Sequence, residues 1–177
     1  MTVLLLGPSG TPGDRLIARL VAQDDDVRVV EPDHAAAPRW GSMGAHVARG
    51  SPLDEDLLAR AARGVRTVVV LEHSGLDLTG VVAAVRAAAA SLNHDIRVVL
   101  CTREVGAEVV EALSSSGAEY VLLRRSPVKR WSRRARVKAD DALAEAIDAA
   151  DDLSGAPHLV LDLALPESWD ALGVAPP

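Results

Sequence analysis

Residues 2–22 read TVLLLGPSGTPGDRLIARLVA, and the order of residue types in that stretch decides the fold. Thr2–Leu6 is an apolar run. Three evenly spaced glycines follow, Gly7, Gly10 and Gly13, and the amphipathic run DRLIARLVA comes next. Strand, glycine-rich turn and helix therefore succeed one another without a break. Such a unit builds an anion site from backbone. Glycine turns sharply and leaves no Cβ in the path of a phosphate, and the helix start presents free N–H groups and the positive end of its dipole. The positions expected to line a phosphate are Gly7, Ser9, Gly10, Thr11 and Gly13.

The remaining sequence extends this unit by repetition. Short Val/Leu/Ile runs without polar alternation, such as TVVVL and RVVL, mark strands at 2–6, 27–31, 46–48, 66–72, 96–101, 119–124 and 158–163, the third being the least marked. Strands buried on both faces read this way in a parallel sheet covered by helices. Helices are expected at 13–22, 54–63, 77–92, 105–115 and 139–152. Pro52 and the acids Asp54 to Asp56 suit a helix start, while Gly64, Gly117 and Gly155 with Pro157 suit helix ends. Pro32, Pro38, Gly41 and Gly44 predict a loop over 32–45. The alternation implies an α/β fold, a doubly wound parallel sheet of Rossmann type with helices on both faces and right-handed crossovers. No repeat or linker divides residues 1–177, so one domain is expected.

Composition narrows the class. At 177 residues and 49% hydrophobic, the chain can bury a real core. No apolar run reaches the ~18–20 residues of a membrane span, and no basic residue precedes the short apolar start as in a signal peptide. A cytoplasmic protein is the expectation. The abundance of Ala, Val, Arg and Asp points to a bacterial source. A single cysteine, Cys101, excludes an internal disulfide and a cysteine zinc site. The five histidines show no metal spacing.

In a doubly wound sheet, ligands bind beyond the carboxyl ends of the strands. That edge collects Gly7–Gly13, then Glu31 with Asp33, then Leu71–His73, then Cys101–Glu104, then Arg124–Ser126. Glu31 stands 18 residues after Gly13, where an acid accepts hydrogen bonds from an adenosine ribose and repels a 2′-phosphate. It favours NAD over NADP, with a solvated strand-end acid as the plainer reading. Pro12 has no N–H to offer a pyrophosphate, which weakens a dinucleotide site, although proline is also at home in a first helical turn.

The spacing GxxGxxG, with the ordered stretches LLLGPSGTPG, ARGSPLDEDLLARAARGVRTVVVL, RVVLCT with SSGAEYVLLRRSP, and VKADDALAEAIDAA, resembles the atypical and extended short-chain dehydrogenase/reductases. The NmrA-like and epimerase-like members are the nearest in pattern. The resemblance covers nearly the whole chain and implies a Rossmann fold and an NAD(P) site. It also implies a Tyr-x-x-x-Lys pair after the fifth strand, with a Ser or Thr at that strand's end, as acid/base machinery. Thr102 matches the Ser/Thr position, but no Tyr-x-x-x-Lys follows. The chain's only tyrosine, Tyr120, falls within a strand, and its only lysines are Lys129 and Lys138. Ser51 stands where the family carries an adenine-contacting Asp. Ser126-Pro127 resembles the family's nicotinamide-flanking turn, offset by one. The lobe that usually follows the sixth strand is reduced to residues 129–138.

Two features remain open. Arg124–Lys138 holds eight cations and no acid, against a whole chain with 19 basic and 25 acidic residues. This basic connecting segment, 124–138, reads as a salt-bridged surface, as a clamp for an anionic substrate, or as a grip for a protein partner or second copy; overall acidity argues against nucleic acid. His73, paired with Glu72 or Glu104, is a candidate acid/base for isomerisation, dehydration or cyclisation. Thr102 has no base identifiable beside it. The leading expectation is a dinucleotide-responsive accessory protein without ordinary reductase catalysis. The alternatives are a non-redox or atypical hydride-transfer enzyme using His73, Thr102 and Glu104, and an interaction module with a vestigial nucleotide site.

Overall fold

A computed structural model of the chain describes residues 2–8, 11–32, 37–72, 76–93, 95–104, 106–115, 118–124, 133–152 and 158–163, with the side chains of Thr11, 133–139, 151–152 and Asp162 outside that description. Seven parallel strands form one sheet in the order β3-β2-β1-β4-β5-β6-β7. They are β1 (Thr2–Leu6), β2 (Asp26–Glu31), β3 (His46–Arg49), β4 (Thr67–Leu71), β5 (Arg97–Thr102), β6 (Tyr120–Arg124) and β7 (His158–Asp162). The helices are α1 (Thr11–Ala22), α2 (Ala37–Ser42), α3 (Glu55–Ala61), α4 (Leu78–Leu92), α5 (Ala107–Ser114) and α6 (Arg133–Asp152). All seven expected strands are present.

Strand alternation sorts the core into two layers. On one face, Val3 and Leu5 of β1, Val99 and Cys101 of β5 and Val121 and Leu123 of β6 meet Leu16 and Ile17 of α1, Trp40 of α2 and Ile147 of α6. On the other, Leu4, Leu6, Val68, Val70, Val98 and Leu100 meet Leu58 of α3, Val81 and Val85 of α4 and Val109 and Leu113 of α5. With both faces covered, a continuous aliphatic run is what a central strand requires, and β4 and β5 are buried at every residue.

The helix ends follow local chemistry. Asp54 caps α3 by accepting from the Leu57 N–H at 2.9 Å, and Asp77 caps α4 by accepting from the Gly80 N–H at 3.0 Å. Gly64, at φ +70°, ends the turn after α3. The left-handed cap after α4 is Asn93, at φ 47°, a residue type that also tolerates this region.

Three features differ from expectation. Residues 37–42, expected within a loop, form α2. Its Pro38 and Gly41 are poor helix formers, and the turn is held by tertiary contact: Trp40 is buried to 1% exposure. The last helix begins at Arg133 rather than 139, so part of the segment expected to connect strand to helix is helix. Finally, α6 lies on the face of α1 although β6 and β7 continue outward in the direction that β4, β5 and β6 take with α4 and α5 on the opposite face. The β6–α6–β7 connection therefore has the opposite hand to its neighbours, against the usual right-handed rule. Helix α6 packs on β5 and β6 in the same core layer as α1 and α2. It is tied to α1 by Arg15–Asp141 at 3.2 Å and Arg19–Asp148 at 2.6 Å.

Candidate functional site

The chain reverses its winding between β1 and β4, since β1 leads outward to β2 and β3 while β4 leads the other way. The carboxyl ends of β1, β2 and β4 flank that crevice. Gly7 leaves β1 buried and with φ +67°, a conformation that costs glycine nothing. Helix α1 starts at Thr11, and Pro12 is its second residue, where no intrahelical N–H bond is lost. Gly13 is pressed against the turn: a Cβ built there would stand 2.6 Å from the Pro8 carbonyl carbon and 2.8 Å from its Cα. Turn and helix approach this closely only because position 13 has no side chain, which fits a phosphate cradle. Ser9, Gly10 and the Thr11 side chain lie outside the described residues.

Glu31 closes β2 beside this turn. It is 2% exposed, so it is a buried acid and not the solvated strand-end residue of the plainer reading. Its carbonyl accepts the Gly50 N–H at 3.2 Å. Register pairs Leu6 with Val30, which sets Gly7 and Glu31 side by side at the strand ends. Arg28 points away: its guanidinium donates to the carbonyls of Ala61 and Arg63 at the end of α3. Ser51 accepts the Leu53 N–H through Oγ at 3.1 Å within the turn before α3.

A second contact braces the first turn of α1. Asp14 accepts from Trp40 Nε1 at 2.9 Å and pairs with the Arg39 guanidinium. This clamp was not foreseen. Its members are 26 residues apart in sequence and no local pattern links them.

At the far side of the crevice, Thr102 ends β5 fully buried. Its Oγ1 lies 2.8 Å from Glu72 Oε2 and 2.6 Å from the Glu104 carbonyl, both acceptors for its one proton. The Arg103 N–H donates to the same Glu72 oxygen at 2.5 Å, and the Glu72 N–H donates to the Cys101 carbonyl at 2.9 Å. A carboxylate therefore stands beside Thr102, contrary to the expectation that no base does. Cys101 is buried in the sheet core, as expected. Glu104 contributes its backbone to Thr102, while its side chain is exposed. His73, Asp33 and residues 125–132 of the basic segment lie outside the described residues.

Tyr120 occupies the opposite edge. It pairs with Val98 while Arg124 pairs with Thr102, so four strand steps, roughly 13 Å, separate it from Thr102. Its ring is buried, with Oη 3.1 Å from Ser114 Oγ and the His158 ring 4.8 Å away. That edge also carries a polar cleft lined by Arg66, Asp95, Arg97 and Glu119, remote from the glycine turn. Among the described residues, no group of histidines, cysteines and acids is arranged to hold a metal, and no helix is long and apolar enough to cross a membrane.

No protein-family model matches the chain, and no curated protein matches it significantly. Solved structures do match. A Rossmann-fold NAD(P)-binding family protein from Shigella flexneri superposes with TM-score 0.64 at 20% identity, covering 88% of this chain and 89% of that one. An NADPH-dependent quinone oxidoreductase from Escherichia coli, complexed with NADPH, gives TM-score 0.72 at 16% identity over 97% of this chain and 76% of that one. A UDP-glucose 4-epimerase from Brucella ovis, in complex with NAD, gives TM-score 0.69 at 15% identity over 91% and 76%. Sheet order, glycine turn and these superpositions agree that the chain has the Rossmann fold of the NAD(P)-binding epimerases and reductases.

Proposed function

We propose that this chain is a dinucleotide-binding Rossmann domain that lacks ordinary short-chain reductase catalysis and serves as a dinucleotide-responsive accessory protein. The observation that carries the reading is the turn from β1 into α1. Gly13 has no room for a Cβ against the Pro8 backbone, and a turn so pressed onto a helix start aims backbone donors at a pyrophosphate. Gly7, Ser9, Gly10, Thr11 and Gly13 would hold the pyrophosphate, and Glu31 the adenosine ribose. A carboxylate at Glu31 would repel a 2′-phosphate, so NAD is favoured over NADP. Pro12 withholds one N–H from the phosphates. A missing charge-assisted bond is worth ~1.5–3 kcal/mol, about tenfold to a hundredfold in affinity, so weak binding is expected.

A bound nicotinamide would supply a hydride donor or acceptor. Among the described residues, Tyr120 stands at the opposite end of the strands and the buried Thr102 hydroxyl is engaged with Glu72 and the Glu104 carbonyl, which supports the reading without ordinary acid/base catalysis. Calorimetric titration with NAD, NADH, NADP and NADPH tests the reading. Heat with NAD or NADH, at least about tenfold weaker with the phosphorylated pair, is expected. No heat and no thermal shift with any of the four would sink it. Turnover at the nicotinamide absorbance band with a panel of carbonyl compounds would contradict the non-catalytic part alone.

A further inference from the structure

We propose that β7 is the contact edge of a two-fold dimer: a second copy of this chain adds its own β7 antiparallel to the first, centred on Val160, so that one sheet runs through both copies. This surface is independent of the dinucleotide site.

Strand β7 ends the sheet and pairs with β6 on its inner side. The Leu163 N–H donates to the Arg124 carbonyl at 2.9 Å. A strand residue turns its N–H and C=O to one side, and the next residue turns them to the other. Leu159, Leu161 and Leu163 therefore give their backbone groups to β6, and those of His158, Val160 and Asp162 face outward. Among the described residues, no strand pairs with them there. Open edges are commonly guarded by charge, proline, a bulge or shortness. Yet the middle residue of this edge, Val160, is an apolar side chain 56% exposed.

The outward residues are self-complementary. A two-fold axis through Val160 sets Val160 against its own copy and residue 158 against residue 162. Each of these is a hydrogen-bonded pair that exchanges both N–H···O bonds, so the outward backbone groups all find partners. The same register places a histidine opposite an aspartate on both sides of the axis and withdraws the two Val160 side chains from water. On the other face, Leu159 of one copy opposes Leu161 of the second, which extends the core layer that Ile147 and Ala150 of α6 cover. A register displaced by one residue would oppose outward groups to groups already bonded to β6. The other sheet edge lacks this symmetry: β3 carries His46 and Arg49 and no acid, so no two-fold register there opposes unlike charges.

Sedimentation velocity of the full chain, from micromolar to sub-millimolar concentration, tests the surface. A species of twice the 18.6 kDa chain mass is expected. Val160→Lys sets a charge against its own copy on the axis. That variant should sediment as a monomer and melt as the parent does, because the side chain is exposed. Val160→Thr, which keeps the branched shape, should remain a dimer. Val160→Cys reads the register. On the axis the two Cα atoms stand about 5.5 Å apart, within reach of a disulfide, and the native Cys101 is buried. Mild oxidation should convert that variant to a covalent dimer, while Leu53→Cys, exposed in the turn before α3, should stay uncrosslinked. A monomer at every concentration overturns the proposal, whether the edge stays bare or residues 164–177 cover it. A dimer that survives Val160→Lys overturns it as well, since another surface then holds the copies together. A dimer in which Val160→Cys does not crosslink overturns the register.

Discussion

Gly13→Ala is the sharpest perturbation of the turn that defines this chain. The added methyl carbon would meet Pro8 backbone, with the carbonyl carbon at 2.6 Å and Cα at 2.8 Å. Backbone cannot rotate aside as a side chain can, and Pro8 is itself buried. Relief requires the turn and α1 to separate. Overpacking of this kind costs ~1–3 kcal/mol, and the helix-propensity gain of alanine over glycine, ~0.8–1 kcal/mol in a helix interior and less in a first turn, offsets only part of it. A net loss of about 1–2 kcal/mol remains. For a chain of 177 residues this lowers the melting temperature by about 2–8 °C. Gly41→Ala is the matched control: it lies in α2, and a Cβ there meets nothing within 4 Å, so that variant should melt at or slightly above the parent. Thermal unfolding followed by circular dichroism measures both. If Gly13→Ala melts as high as the parent, the close approach of turn and helix is wrong, and with it the argument that the turn is shaped to admit a phosphate.

Other positions give independent checks. Asn93 ends α4 in the left-handed region; Asn93→Gly should hold or raise stability in urea unfolding, while Asn93→Ala should lose ~1 kcal/mol, and equal stability of the two would contradict the cap. Trp40→Phe removes the indole N–H that donates to Asp14 along with ring volume, and a loss of ~1–3 kcal/mol is expected in the same assay; a change within a few tenths would mean that α2 does not brace α1. Arg97 is 6% exposed and donates to Glu119 Oε2 from Nε and Nη2. Because Glu119 is half exposed, solvent screens part of the pair, and Glu119→Gln should cost only ~1 kcal/mol; a loss above ~3 kcal/mol would show the pair to be effectively buried.

The strands were legible because the sheet is covered on both faces. A central strand then has no reason to alternate, and runs such as TVVVL and RVVL announce themselves. The helix starts at Asp54 and Asp77 carry their own signal in a side chain three residues ahead of the N–H it caps. What escaped was whatever depends on distant partners. Helix α2 contains Pro38 and Gly41, and local propensity argues against it; its warrant is Trp40 docking beneath α1. The early start of α6 was readable in principle, since Arg, Ala and Lys are good helix formers, but the density of cations drew the reading toward a connection. The side on which α6 returns is not written locally at all.

The candidate site divides along the same line. Its β1–β2 side is encoded within single elements: a glycine pattern in one turn, an acid at one strand end. Its β4–β5 side depends on Glu72 and Thr102, 30 residues apart, meeting across two strand ends. From the sequence, Thr102 reads as a hydroxyl without a base and Glu72 as a partner for His73. Parallel pairing changes both roles. Register joins Leu71 to Cys101, so the residues that follow, Glu72 and Thr102, are neighbours by necessity once the strands align, and a carboxylate next to a buried hydroxyl will accept its proton. The pairing of β4 with β5 follows from the doubly wound order, so this contact was within reach of a reading that carried strand register one residue past the strand ends. That step matters for the chemistry of this edge, because it turns the Thr102 hydroxyl into the donor of an internal hydrogen bond, which matching residue types alone do not reveal.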